Sequence, residues 1–314
     1  MSHGAGVSRR PGTLPPVPVA PPRPIHLARD HPRQVVATRT RHAEWERLAR
    51  GAYVDAASSL APRARALAVI GAVDDRLAKP HWFSHESAAL IWGLPVWRLP
   101  RLTHLRQGGR AGGERDRAVM RHSGLPGEDH LTSVGGLPVT DLEQTMVDCA
   151  RSLRPLAGLV VADAALRAGA DRGCVLEMLE RLRGRNGAAR ALDVVMLADD
   201  GAESPGETAT RFVLLRDGLP RPETQVRVET RLGAFWADVG WEEWRVLLEY
   251  DGRAKYRSME DLIREKRRHD ALVEAGVRPL RVTKEDIPGS SLSRRARALL
   301  PPGIPMVQRP LLRS

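Results

Sequence analysis

The sequence predicts an α/β domain over residues 200–290, preceded by an α+β region. Three observations carry this. Residues 204–290 read as helix, three strands, helix, strand and short helix, each set by its hydrophobic period. Residues 31–199 mix helix-period stretches with short apolar strands punctuated by glycine. A hydrophobic content of 42% in 314 residues is ample for two ordinary domains with real cores.

The bulk numbers restrict function without fixing it. A net charge of +11 favours a polyanionic partner, with nucleic acid the natural one. Only four of the 49 basic residues are lysine, and three of them, Lys255, Lys266 and Lys284, fall in one C-terminal stretch. Cys149 and Cys174 are too few for a disulfide framework or a cysteine-built zinc site. The N-terminus lacks a signal-like apolar core, and no run of about 18 apolar residues occurs, so a reduced cytoplasmic protein with no membrane partner is expected.

Taken in order, residues 1–30 hold seven prolines and predict a disordered tail. Residues 31–66 predict a helix through Trp45 and Leu48, stopped by Gly51 before a strand at Ala52–Val54. With Arg47 and Arg50 this outline fits a winged-helix-like unit, and equally a small basic helical one. Residues 67–199 begin with a helix over Ala66–Ala78. A second helix, capped by Ser84, turns Ala88, Ala89 and Trp92 inward. His81 and His85 sit four apart, but no acid completes a metal set, so they read as surface or cap residues. The stretch LRQGGRAGGERDR lacks the G-K-[ST] of a phosphate loop and reads as a hairpin tip. A strand at GGLPV leads to a helix with Thr140 as N-cap and Glu143 at the third position. Helices follow over 156–168 and 173–183, then a short helix and a connector over 184–203.

The C-terminal domain opens at Ser204, an N-cap followed by Pro205 and by Glu207 at the capping-box position. Two strands around the Gly233 turn come next, with Phe235, Ala237 and Val239 on one face and Trp236 and Asp238 on the other. In VLLEYD, Glu249 and Asp251 share a face about 7 Å apart. Antiparallel pairing would bring Asp238 into the same neighbourhood. Converging carboxylates repel one another, and burying them without a cation costs several kcal/mol or forces protonation. Spacing alone leaves two alternatives: a Mg²⁺-type site, or a solvated strand edge. The following helix expects Leu262, Ile263, Val273 and the Lys266 stem on its buried side. Arg264, Arg267, Arg268 and Ala271 fall on another face, suited to a phosphate backbone. A strand at RPLRVT, a short helix from KEDI and a C-terminal tail over 291–314 complete the chain.

Residues 203–290 resemble the PD-(D/E)XK nuclease superfamily, in particular very-short-patch-repair (Vsr)-like endonuclease domains. The matching pieces are S-P-G-E (204–207), Asp238, E-Y-D-G (249–252), K-Y (255–256), E-K-R-R (265–268) and R-V-T-K-E-D (281–286), in order over nearly 90 residues. More loosely, residues 33–180 resemble the AbiEi-antitoxin-type regions that precede such domains in actinobacterial proteins. The pieces there are R-G-A-Y (50–53), S-H-E-S-A-A (84–89), G-L-P-V (93–96), G-L-P-V-T (136–140) and V-D-C-A-R (147–151).

The resemblance implies a restriction-endonuclease-like fold, a mixed sheet flanked by helices, and Mg²⁺- or Mn²⁺-dependent cleavage of nucleic acid, DNA foremost. It also implies a toxin–antitoxin or defence-system partner. Asp238 matches the metal-binding aspartate and Glu249 the (D/E) of the second element, while Glu207 matches a helix carboxylate near the site. The superfamily has lysine where Asp251 stands. Lys255, four residues on, is the candidate for the missing ammonium, and Asp251 is either a further ligand or an orienter of Lys255. Arg267 and Arg268, with Arg264, would position the nucleic-acid backbone without reading sequence. The alternative is a non-catalytic DNA-binding regulator or antitoxin-like protein built on a nuclease-derived scaffold.

Overall fold

The computed structural model describes residues 14–108, 116, 118–252 and 259–312. Three sheets and ten α-helices occupy these residues. The first sheet is antiparallel, in the order β1 (His26–Leu27), β3 (Ala52–Asp55), β2 (Trp45–Ala49), with α1 (Arg33–Arg41) between β1 and β2. Trp45 and Leu48 are thus in a strand where helical spacing predicted a helix. Trp45 pairs with Asp55 and stacks on the His26 ring at 4.3 Å, contacts that outweigh local propensity.

After α2 (Pro62–Arg76) come β4 (Trp82–Phe83), α3 (His85–Ile91), β5 (Thr103–Gln107), β6 (Val119–Ser123), β7 (Leu131–Val134) and β8 (Leu137–Thr140). These strands form a sheet in the order β6-β5-β4-β8-β7. β5 and β6 run parallel, with Thr103 opposite Val119. Most of the glycine-rich stretch between them, expected as a hairpin tip, lies outside the described residues.

Four helices follow: α4 (Leu142–Ser152), α5 (Pro155–Arg167), α6 (Arg172–Arg181) and α7 (Ala188–Leu197). The N-cap of α4 is Asp141, whose carboxylate accepts from Gln144 N at 2.7 Å. Thr140 ends β8 instead, its hydroxyl 2.8 Å from that of Thr145.

The C-terminal unit is α8 (Pro205–Arg216), β9 (Glu223–Thr230), β10 (Gly233–Trp241), β11 (Val246–Tyr250), α9 (Met259–Glu274), β12 (Arg278–Val282) and α10 (Ser291–Leu299). Its sheet, ordered β12-β11-β10-β9, is mixed: β11 and β12 are parallel and the other pairs antiparallel. One apolar cluster runs from Met146, Leu159 and Val194 through Phe212 and Leu214 to Val239, Val246 and Leu248. A second, on the opposite face, joins Phe235, Ala237 and Leu247 to Leu272 of α9. Arg211, fully buried, forks onto Asp163 with both contacts at 2.7 Å, tying α8 to α5. The Thr208 hydroxyl and Asp199 N–H complete the shell of Asp163, which satisfies its buried lone pairs.

The described parts of the two terminal segments, residues 14–30 and 300–312, pack against the rest of the chain. Val19 N donates to the Ile91 carbonyl, and Gly93 lies so close to Val17 that any Cβ would sit 1.9 Å from its carbonyl oxygen. At the other end Val307 N donates to Gly218 O, and Leu312 is buried. Proline-rich segments cannot donate fully to ladders, yet they pack well in extended form over apolar surfaces. Among the described residues no helix is long and apolar enough to cross a membrane.

Candidate active site

Glu207 occupies the third position of α8 because Ser204 caps the helix: the serine hydroxyl accepts from Glu207 N at 3.2 Å. Its carboxyl in turn accepts from the Ser204 hydroxyl at 2.8 Å and from Glu203 N at 2.7 Å. Burial first, and the neighbouring Asp238 charge second, push the Glu207 carboxyl up to about 8. The helix can lie this close to the sheet because residue 206 is glycine; a Cβ there would come within 2.1 Å of the Tyr250 ring.

Asp238 stands where strand alternation slips. Val239 and Trp241 pack with Val246 and Leu248, whereas Ala237 and Phe235 pack in the cluster of Leu247 and Leu272. The expectation that Phe235, Ala237 and Val239 share a face therefore fails. On β9 the neighbouring defect is Gln225, at φ 51° between Thr224 and Val226. A local irregularity of this kind re-aims a side chain. The β10–β11 ladder stops at Val239–Leu248, and the Asp238 carboxylate takes over, accepting Tyr250 N at 2.8 Å.

Glu249 follows Leu248, one residue beyond the last paired position of that ladder. Its carboxylate is bonded by Arg268, whose guanidinium also donates to Trp236 O at 3.3 Å and lies 5.4 Å from the centre of the Phe235 ring. Asp251 lies 3.4 Å from Arg281, which reaches Glu265 at 2.5 Å, and Glu265 is 3.9 Å from Arg268. Acids and arginines thus alternate across β11, α9 and β12.

The five predicted acidic and basic site residues near β11 divide between two settings. Glu207 and Asp238 adjoin the start of α8, while Glu249, Asp251 and Arg268 belong to the network under α9. The acids do not close into a trio at ligand spacing. Among the described residues, one group of three has ligand atoms within 4.8 Å of one another, and it consists of His85, His104 and His122. Arg268 and Ala271 face inward, and Ile263 and Val273 face solvent, the reverse of the expected stripe on α9. The charged acids of β11 make an arginine the complementary residue there. Arg264 and Arg267 lie on the exposed side. Lys255 falls outside the described residues.

Asp238 and Glu249 present the hard oxygen donors that suit Mg²⁺ or Mn²⁺. Burial is the larger cause of the raised Glu207 carboxyl and the Asp238 charge the second, and a cation beside the two acids would offset that second cause.

No protein-family model matches the chain. It is similar to uncharacterized proteins of two strains of Mycobacterium tuberculosis, 32% identical over 174 residues. The match covers 54% of this chain and 64% of the length of each relative.

Proposed function

We propose that this chain is a metal-dependent endonuclease that hydrolyses phosphodiester bonds in nucleic acid, DNA foremost. The observation that carries the reading is the end of the β10–β11 ladder, where the Asp238 carboxylate, beside Glu207, accepts from Tyr250 N, the residue next to Glu249 in the chain. Asp238 and Glu249 would hold the cation. Bound Mg²⁺ or Mn²⁺ would supply Lewis-acid activation of the phosphate and of water.

The chain's own groups do the rest. Asp238 is oriented by Tyr250 N, and Glu249 is held by Arg268, which must give way or share the carboxylate when a cation enters. Glu207 keeps a proton at neutral pH and so limits the local negative charge. Lys255 would orient the attacking water. Arg264 and Arg267, on the outer side of α9, would lie along the phosphate backbone.

A second reading has an observation of its own. Arg268 on Glu249 and Arg281 near Asp251 neutralise two of the acids without a cation, as a non-catalytic regulator or antitoxin-like scaffold would require. Incubating the full chain with single- and double-stranded DNA in Mg²⁺ or Mn²⁺ separates the two. Cleavage that vanishes in Asp238→Asn and in Glu249→Gln, both still folded, is the expected result. Intact substrates with the wild-type chain, or equal cleavage by Asp238→Asn, would hand the case to the regulator.

A further inference from the structure

We propose that His85, His104 and His122 form a second, independent metal site that takes one borderline transition cation of the Zn²⁺ class. The three residues come from α3, β5 and β6 and lie far apart in sequence. The backbone draws them together: Ser84 N donates to His104 O at 3.1 Å, and His104 N donates to Ser87 Oγ at 2.8 Å. Their ligand atoms fall within 4.8 Å of one another. Nitrogens around a tetrahedral Zn²⁺, with bonds of about 2.0–2.1 Å, are about 3.3 Å apart. The widest separation must close by about 1.5 Å, which takes a reorientation of the rings.

Several features suit imidazoles that ligate and fit poorly with plain packing. Burial, and then the charges of neighbouring histidines, hold His104 down to about 4, and His85 is lowered further by the same causes. Burial lowers His122 as well, so all three keep a lone pair at neutral pH. His85 is buried and takes φ 54°, a left-handed conformation that a non-glycine residue rarely adopts and that is often kept where a side chain must be aimed.

An outer layer is already in place. His85 Nδ1 is 2.9 Å from Ser84 Oγ and 3.6 Å from Asp148 Oδ2. Asp148 is itself held by the Arg106 fork and by Gln144 Nε2 at 2.8 Å. A carboxylate behind a ligating histidine fixes its tautomer and orientation. Glu86, its carboxyl raised by burial, lies 3.7 Å from His104 Nε2 and stands beside the trio. In the present packing His104 Nδ1 is 3.0 Å from His122 Nε2, and the His85 and His122 rings stack at 3.7 Å. The stacked pair must swing apart for both lone pairs to point at one atom, so metal entry changes the ring packing. Imidazole donors disfavour Mg²⁺, which keeps this site distinct from the carboxylates of β10 and β11.

The test uses the full chain, stripped with a chelator and then titrated with Zn²⁺ against a chromophoric competitor, with bound metal measured after gel filtration. About one Zn²⁺ per chain is expected, and Co²⁺ should give the strong visible absorption of a low-coordinate nitrogen site. His104→Gln and His122→Gln should each weaken Zn²⁺ binding at least about tenfold. His81→Gln, whose ring bonds Asp74 instead, should not, nor should Asp238→Asn with Glu249→Gln. Wild-type protein that retains no stoichiometric Zn²⁺ would overturn the proposal. So would folded histidine variants that bind as well as wild type. Should both variants fail to fold by circular dichroism, a Co²⁺ spectrum of the wild type without nitrogen-site absorption would still overturn it.

Discussion

Replacing Glu207 by glutamine should remove a pH dependence that the wild-type chain carries. The carboxyl is 8% exposed and is pushed up to about 8, against an ordinary value of 4.5. Folding therefore keeps a proton that the unfolded chain releases, so this group's contribution to stability falls as pH rises from 4.5 to about 8 and then levels off. Linkage puts the loss between pH 6.5 and pH 8 on the order of 2 kcal/mol. In a thermal melt that is on the order of 3 °C. The window also avoids His104, held down to about 4, whose effect is complete below it. Against its burial, the hydrogen bond and charge of Asp74 lift His81 above its ordinary value, which gives that ring a pH dependence of its own. The measured quantity is therefore the difference between Glu207→Gln and wild type, in metal-free buffer, by chemical denaturation at four pH values. Asp238→Asn should flatten the slope only in part, since burial is the larger cause and Asp238 the second. Parallel pH profiles for wild type and Glu207→Gln would refute the reasoning.

Other outcomes follow from the same contacts. Arg211→Met leaves Asp163 buried and unpaired, so the chain should lose about 3–5 kcal/mol in denaturant unfolding; a loss under about 1 kcal/mol would show that the fork is dispensable. Gly206→Ala drives a methyl into the Tyr250 ring and should cost about 1–3 kcal/mol while lowering cleavage, since α8 must back away from the site. Lys255→Arg keeps the charge but replaces a compact ammonium with a planar fork. Turnover should fall far more than DNA affinity, and near-wild-type turnover would remove Lys255 from the chemistry.

Legibility in the sequence followed the range of the interactions. The start of α8 was readable because Ser204, Pro205 and Glu207 sit within one turn and act on one another. The order of strand, helix and strand through β11, α9 and β12 was readable from periodicity, while the parallel pairing of β12 with β11 is what the structure adds. The orientation of α9 was misread because an apolar-stripe rule assumes an apolar opposite face, whereas β11 offers Glu249 and Asp251. The slip at Asp238 depends on Gln225 in the neighbouring strand, and no period-two count along β10 contains it. The histidine trio gave no spacing signal. His85 alone carried a motif, and its partners arrive through the parallel pairing of β5 with β6.

The proposed endonuclease requires that Asp238 and Glu249, where the β10–β11 ladder ends, hold a divalent cation. Electron paramagnetic resonance of free Mn²⁺, titrated with the full chain at neutral pH, tests it most directly. Asparagine at 238 can still accept the Tyr250 N–H, so Asp238→Asn removes charge while leaving the local fold in place. The account predicts uptake of about one Mn²⁺ per chain by the wild type and by His104→Gln, with uptake lost in Asp238→Asn and in Glu249→Gln. Equal Mn²⁺ uptake by wild type and Asp238→Asn, or none by the wild type at millimolar Mn²⁺, would contradict it.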